Sequence, residues 1–287
     1  MELVKVFQIT SEKTGRACKI VAQGLKNHPE VEIIQDANKA DLLIASQFAA
    51  KESQNYDIRK LAIVDYGDSP HSVVANRYSW YFKRSWPESR LVGNHYIKNL
   101  IKRPKNWFPI AYCIMDEFIL DGEYEKKIDI LCSLRNQKWK NRGWVRKFIN
   151  DTDFGEDIVK IAGPVTDGGL TCFCQGYLES IASSRLVISA NPDHWEGDHR
   201  TWETLPSGSL LFVDRLITPF EYPLKDGEHC VFYDLTSDGK RELKEKIKYY
   251  LEHPEEAKKI GENGKEYGLK YHRTSNLIDY ILRKTVK

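Results

Sequence analysis

"RLVISANPDHWEGDHRTWETLPSGSLLFVD", residues 185–214, holds two apolar runs with a helical stretch between them. The runs "RLVISA" (185–190) and "SLLFVD" (209–214) have strand length and are rich in Val, Ile and Leu. A loop bearing Gly197 leads from the first run into a short helix over 199–205, which a Pro-Ser-Gly turn ends. Two strands joined by a helix predict parallel pairing. Near-continuous apolar runs predict a sheet covered on both faces.

The same alternation extends outward in both directions. Upstream, "IDILCSL" (128–134) and "IVKIAG" (158–163) read as strands. "RGWVRKFIN" (142–150) reads as a helix with Trp144, Val145, Phe148 and Ile149 on one face. Nearer the start stand "LVKVFQI" (3–9), a helix over 14–27, "VEII" (31–34), "DLLIAS" (41–46) and "LAIVD" (61–65). Downstream come helices over 238–252, from Pro254, and over 274–284 with Thr274 as N-cap. The pattern runs twice and restarts near residue 127. The expected fold is α/β, with two Rossmann-like domains. The charged, Gly-bearing segment 112–126 is the expected boundary. This gives 1–115 as one domain, 116–272 as the second, and 273–287 as a helix returning to the first.

Bulk properties exclude several classes. A formal charge of +2 gives no global field for nucleic acid or anionic lipid. No apolar run reaches the roughly 18–20 residues of a membrane span, and the start lacks the apolar core of a signal peptide. Contact with a membrane is expected to be peripheral at most. Six scattered cysteines make neither C-x-x-C nor a zinc pattern, which points to reduced thiols and a cytoplasmic location. The stretch 135–147, "RNQKWKNRGWVRK", is basic and holds two tryptophans. Such interleaving suits single-stranded nucleic acid, yet Trp144 falls on the apolar face. Arg142 and Arg146 read as solvated surface, and no nucleic-acid partner is expected. His194 and His272 lack partners at metal-ligand spacing, and no metal is expected. Asp151-Thr-Asp153 follows a helix and reads as a loop.

In open α/β sheets, ligands gather outside the carboxyl ends of the strands. Gly197 allows close backbone approach there, and Asp198 is placed to cap the helix that follows. The N–H groups of that first turn suit a phosphate. Arg200 adds a fork of donors, and Glu203, one turn on, is an acceptor for sugar hydroxyls. Arg200 and Glu203 also read as a plain surface ion pair, and the residues alone leave both readings open.

Arg-x-x-Glu, a small residue and Gly, a strand ending in Asp, then "PLKDGEHCVFYD" and "LKEKIKYYLEHPEEAKKIGENGKEYGLKYH" resemble the C-terminal half of GT-B glycosyltransferases. The resemblance is to the spore-maturation-protein-like group with the glycosyl transferase group 1 C-terminal domain. It covers 185–272 best. "IVDYGDSP" and "WYFKRSW" resemble a pattern of relatives in the first half. The resemblance implies two Rossmann-like domains facing across a cleft, a UDP- or GDP-linked sugar held by the second, and a glycan or similar acceptor against the first. It implies no cofactor beyond that co-substrate. It implies ribose binding by Glu203, and diphosphate contacts from Arg135, Arg200 and the stretch Gly197, Asp198, His199 and Thr201. Gly163, opening "GPVTDGG", would lie near the nucleobase. The family's retaining members carry a Glu eight positions before the ribose Glu, where this chain has Trp195. Glu196 stands one place off, so inverting transfer is expected.

Inverting transfer needs a general base for the acceptor hydroxyl. "DYGDSPH" offers Asp68, then His71 and Asp65, at the carboxyl end of a strand. Asp65 also suits a plain turn-stabilising role. An epimerase of the same fold, or a protein that only binds a glycan or nucleic acid, stands as the alternative.

Overall fold

The computed structural model describes residues 2–10, 15–67, 80–86, 90–92, 95–97, 104–134, 140–163, 175–192, 196–216, 218–236 and 238–286. In chain order the first elements are β1 (Val4–Ile9), α1 (Arg16–Asn27), β2 (Val31–Ile33), β3 (Leu42–Ser46), β4 (Leu61–Asp65) and β5 (Trp80–Lys83). A small hairpin, β6 (Arg90–Val92) and β7 (His95–Ile97), precedes β8 (Trp107–Pro109). Then follow β9 (Ile128–Cys132), α2 (Lys140–Asp151), β10 (Lys160–Ala162), α3 (Gln175–Ala182), β11 (Ser184–Ile188) and α4 (His199–Thr204). The chain continues through β12 (Leu210–Asp214), β13 (Val231–Tyr233), α5 (Gly239–Glu252), α6 (Pro254–Tyr271) and α7 (Thr274–Thr285).

These elements form two compact units. One comprises Met1–Pro87, Leu100–Met115 and His272–Lys287; the other comprises Glu88–Asn99 and Asp116–Tyr271. The first unit's sheet has the order β2-β1-β3-β4-β5-β8, with every pairing parallel. β3 and β4 are buried at every residue, as expected for strands covered on both faces. α1 packs against this sheet and meets α7. There a Cβ on Gly24 would lie 2.5 Å from the Thr274 carbonyl oxygen, so the close approach requires glycine. In α7, Leu277, Ile278, Ile281 and Leu282 are buried. The cap of α7 falls one residue earlier than expected. Arg273 takes the N-cap position and its N–H donates to Asn276 Oδ1 at 2.8 Å, while Thr274 is the first helical residue.

The second unit's sheet has the order β10-β9-β11-β12-β13, again all parallel. Val145 and Ile149 of α2 enter its core with Leu186, Phe212, Ile247 and Ile260, and Trp144 and Phe148 pack at the margin. α6 lies close to the segment entering β12, where a Cβ on Gly261 would sit 2.2 Å from the Gly208 carbonyl oxygen. The helix expected over 199–205 is α4 followed by a 3₁₀ turn, Leu205–Ser207.

The middle region holds order that hydrophobic pattern did not reveal. β5 and β8 extend the first sheet, and Tyr81 stacks on Trp107 with ring centroids 4.7 Å apart. Tyr81 is therefore core.

Candidate active site

In the second sheet β9 leads to β10 on one side and its neighbour β11 leads to β12 on the other, so the connections from these two strands diverge. The crevice outside the carboxyl ends of β9 and β11 is the topological switch point, where open α/β sheets bind ligands. Ser133 follows β9 there, and Ser189 to Pro192 and Glu196 to Asp198 follow β11.

The loop after β11 is folded by its own side chains. Asn191 Oδ1 accepts from the N–H groups of Gly197 (2.9 Å) and Asp198 (3.0 Å). Asn191 in turn donates from its backbone N–H and its side-chain amide to Asp214 Oδ1, at 2.6 and 3.0 Å. Gly197 sits at φ +98, a conformation that favours glycine. The N–H groups of Gly197 and Asp198 are thus engaged within the protein.

Asp198 occupies the N-cap position of α4 but makes no cap bond. Instead its oxygens are a buried hub. Oδ1 accepts from Arg142 Nη2 at 2.6 Å, and Oδ2 from Ser189 Oγ at 3.0 Å and Arg200 Nη1 at 3.2 Å. Burial pushes the Asp198 carboxyl up, but Arg142 and Arg200 outweigh it and hold it below the ordinary carboxylate value. Arg142 corrects the expectation of a solvated surface residue. It is 8% exposed, and its Nε also donates to the Ala190 carbonyl at 3.0 Å. Burial lowers the Arg142 pKa, and Asp198 opposes that effect.

Arg200 is fixed at two of its three nitrogens. Nε donates to the Ser133 carbonyl at 2.7 Å and Nη1 to Asp198. Among the described residues Nη2 has no partner. Burial works against the Arg200 charge, but Tyr177, Asp198 and Glu203 together raise its pKa. The Tyr177 hydroxyl, on the first turn of α3, donates to Glu203 Oε2 at 2.9 Å. Arg200 and Glu203 are therefore not a surface pair: Arg200 is half-buried and Glu203 is buried. Thr201 is buried, and its hydroxyl has no hydrogen-bond partner among the described residues. His199 is half-buried beside it. Glu196 is buried, and its Oε1 accepts from the Thr218 N–H at 3.0 Å. Gly163 ends the loop edge of β10, and its N–H donates to the Cys132 carbonyl at 3.1 Å. Arg135 lies outside the described residues.

Arg142, Ser189, Asn191, Asp214 and Tyr177 belong to this constellation and were not singled out by sequence. Asn191 and Asp214 carried one local signal, since both stand at the end of an apolar run.

At the carboxyl end of β4 in the first unit, Asp65 is fully buried. It forms an ion pair with Lys83 Nζ at 3.0 Å, accepts from the Gly67 N–H at 2.6 Å, and accepts from the Tyr81 hydroxyl. Lys83 Nζ and Ser85 Oγ both donate to the Gly67 carbonyl, at 2.9 and 2.8 Å. Arg84 reaches the Tyr66 carbonyl with Nε and Nη2, and its guanidinium lies 4.7 Å from the Tyr112 ring centroid. A carboxylate enclosed by three donors is an anchor for a turn. This is the turn-stabilising role that Asp65 also suits by sequence. Asp68 and His71 lie outside the described residues. Among the described residues, no helix is long and apolar enough to cross a membrane.

No protein of curated function matches the chain in sequence. Solved structures do match in fold. The Anabaena protein Alr3699/HepE, crystallised with UDP and glucose, aligns with a TM-score of 0.57 at 14% identity, covering 98% of this chain and 100% of that one. TarM aligns at 0.55 and 10% identity, covering 86% of this chain and 55% of its own. An alpha1,3-fucosyltransferase aligns at 0.52 and 10% identity, covering 100% and 91%. The two parallel-sheet units are those of the Rossmann-like GT-B fold. The glycosyl transferase-like family model matches residues 123–283, more than half of the chain, and the chain with its two parallel sheets therefore belongs to that family of glycosyltransferases.

Proposed function

We propose that the enzyme moves a hexosyl or pentosyl group from a nucleoside-diphosphate sugar, UDP-linked ahead of GDP-linked, to a hydroxyl of a glycan or related acceptor. The observation that carries the reading is Arg200, held rigid at the switch point with no partner for Nη2 among the described residues. A guanidinium fixed in advance loses little freedom on binding a diphosphate. The likeness to a fold crystallised with UDP and with UDP-glucose supports UDP as the nucleotide. The tail motif at 238–272 supports the spore-maturation-protein-like group within the family.

In this reading Arg200 and the α4 N–H groups beyond Asp198 take the diphosphate, Glu203 takes the ribose, and Gly163 leaves room beside the base. Arg142 holds Asp198, which holds Arg200. Fixed positive charge stabilises the departing diphosphate, so transfer proceeds without a metal ion. Asp68, beyond the turn that Asp65 anchors, takes the acceptor's proton, with His71 as the second candidate. The product is the inverted glycoside. The free thiols of Cys18, Cys113, Cys132 and Cys230 fit a cytoplasmic reaction.

The test is calorimetric titration of UDP, GDP and CMP into the protein in EDTA, beside Arg200→Ala and Glu203→Ala. One nucleotide is expected to bind at micromolar strength. Each substitution removes a charged hydrogen bond and is expected to weaken it roughly 10- to 100-fold. A folded protein that binds none of the three would overturn the donor assignment. Conversion of a UDP-sugar with no acceptor present would replace transfer by epimerisation.

A further inference from the structure

The second unit has a cavity of about 500 Å³ at the edge of its sheet opposite the switch point. Lys126 stands just before β9, Arg185 at the start of β11 and Gly208 just before β12, so its walls lie at the amino ends of these parallel strands. Phe118 and Leu178 supply apolar surface, and Lys258 and Lys265 of α6 close it from one side.

Its charges are unevenly matched. Arg185 is paired with Asp129 at 2.8 Å, and Lys258 with Glu262 at 3.9 Å. Glu203 accepts from Tyr177. The remaining lining carboxylates, Glu123 and Glu255, are exposed. Lys126 is different. The residue is exposed, but its ammonium donates to neutral acceptors in the wall, the Ala182 carbonyl at 2.7 Å and Ser209 Oγ at 2.9 Å. Among the described residues neither Lys126 nor Lys265 is paired with a carboxylate. Burial, and then the Lys265 charge, lower the Lys126 pKa to about 8. Two ammonium groups that repel each other across a cavity are relieved by an anion between them.

We propose that this cavity is a second ligand site, in which Lys126 and Lys265 together hold the phosphate of a small phosphomonoester whose organic part lies against Phe118 and Leu178. A phosphomonoester carries close to two charges at neutral pH, since its second ionisation lies near pH 6. It therefore matches two ammonium groups better than a carboxylate does. Glu203 lines this cavity too, but Lys126 and Lys265 take no part in the donor constellation, so their variants test this site apart from the donor reading.

The experiment is calorimetric titration of inorganic phosphate and of glycerol 3-phosphate into the full chain at pH 8, with UDP present. Lys126→Met and Lys265→Met are run alongside; Lys265 is exposed, so that variant puts little folding at stake. Saturable binding is expected, weakened roughly tenfold or more in each variant. Phosphate is already a dianion at pH 8, so binding is expected to draw up to about half a proton onto Lys126. That uptake shows as an enthalpy dependent on the buffer and is lost in both variants. Sedimentation with vesicles containing phosphatidic acid separates a lipid headgroup from a soluble ester. Absence of saturation below ~10 mM, or affinity unchanged in both variants, overturns the site. So does displacement of UDP by phosphate.

Discussion

Asp198→Ala is expected to destabilise the second unit by roughly 3–5 kcal/mol, because it removes the buried carboxylate that two guanidinium groups share. Both guanidinium groups lose the carboxylate they share, while Arg142 Nε still donates to the Ala190 carbonyl and Arg200 Nε to the Ser133 carbonyl. For a unit of this size the loss corresponds to a fall in thermal midpoint of about 10 °C, readable by calorimetry. Nucleotide binding is expected to fall with it, since Arg200 is then free to swing. Asp198→Asn, which keeps an acceptor for Arg142, is expected to lose less. The sign with pH follows from the depressed Asp198 value. Its contribution is complete above the unfolded carboxylate value of about 3.9 and fades as pH falls through the lower native value. Wild-type protein should therefore lose part of its second-unit stability on acidification below about pH 4, and Asp198→Ala should lose less over the same interval. An unchanged midpoint in Asp198→Ala would show that the hub is not what holds the loop.

The second large effect separates two neighbouring aspartates. Asp65→Asn removes the Asp65 charge from the buried Lys83 ammonium, 1% exposed, and is expected to cost about 3–5 kcal/mol in denaturant unfolding of the first unit. Combining it with Lys83→Met removes both charges and is expected to recover most of that loss, a coupling that a double-mutant cycle measures. Asp68→Asn is expected to do the reverse. It should leave the unfolding midpoint and UDP affinity in place and lower kcat by about 10²- to 10⁴-fold. If Asp65→Asn kept full stability and lost turnover instead, Asp65 would be the base, and the anchor role would fall.

Much of the framework could be read from apolar runs, for reasons that show where such reading stops. β4 and β12 are buried at every residue, so their sequences are unbroken apolar runs. β5 and β8 are short and carry Trp and Lys among their aromatics, so nothing in their pattern separates them from a loop. In the site, Gly197, Asp198, Arg200 and Glu203 stood out because they are close in sequence. Their partners are not. Arg142 meets Asp198 across 56 positions, and Asn191 meets Asp214 across 23. Helical periodicity places Arg142 away from the apolar face of α2. It does not show that a first-turn residue overhangs the strand ends and reaches the next loop. Asp198 likewise looks like a local cap from sequence, because a hub is defined by what arrives from elsewhere.

α7 belongs to the first unit yet follows the whole of the second in the chain. During synthesis, strands β1 to β8 leave the ribosome with the face of α1 around Gly24 uncovered, and residues 116–271 must be made before its partner exists. Domains usually complete themselves in the order they are made. Here the unit begun first is finished last. For that interval its bare apolar face is open to chaperones, and the maturation of the first unit is timed by translation of the second.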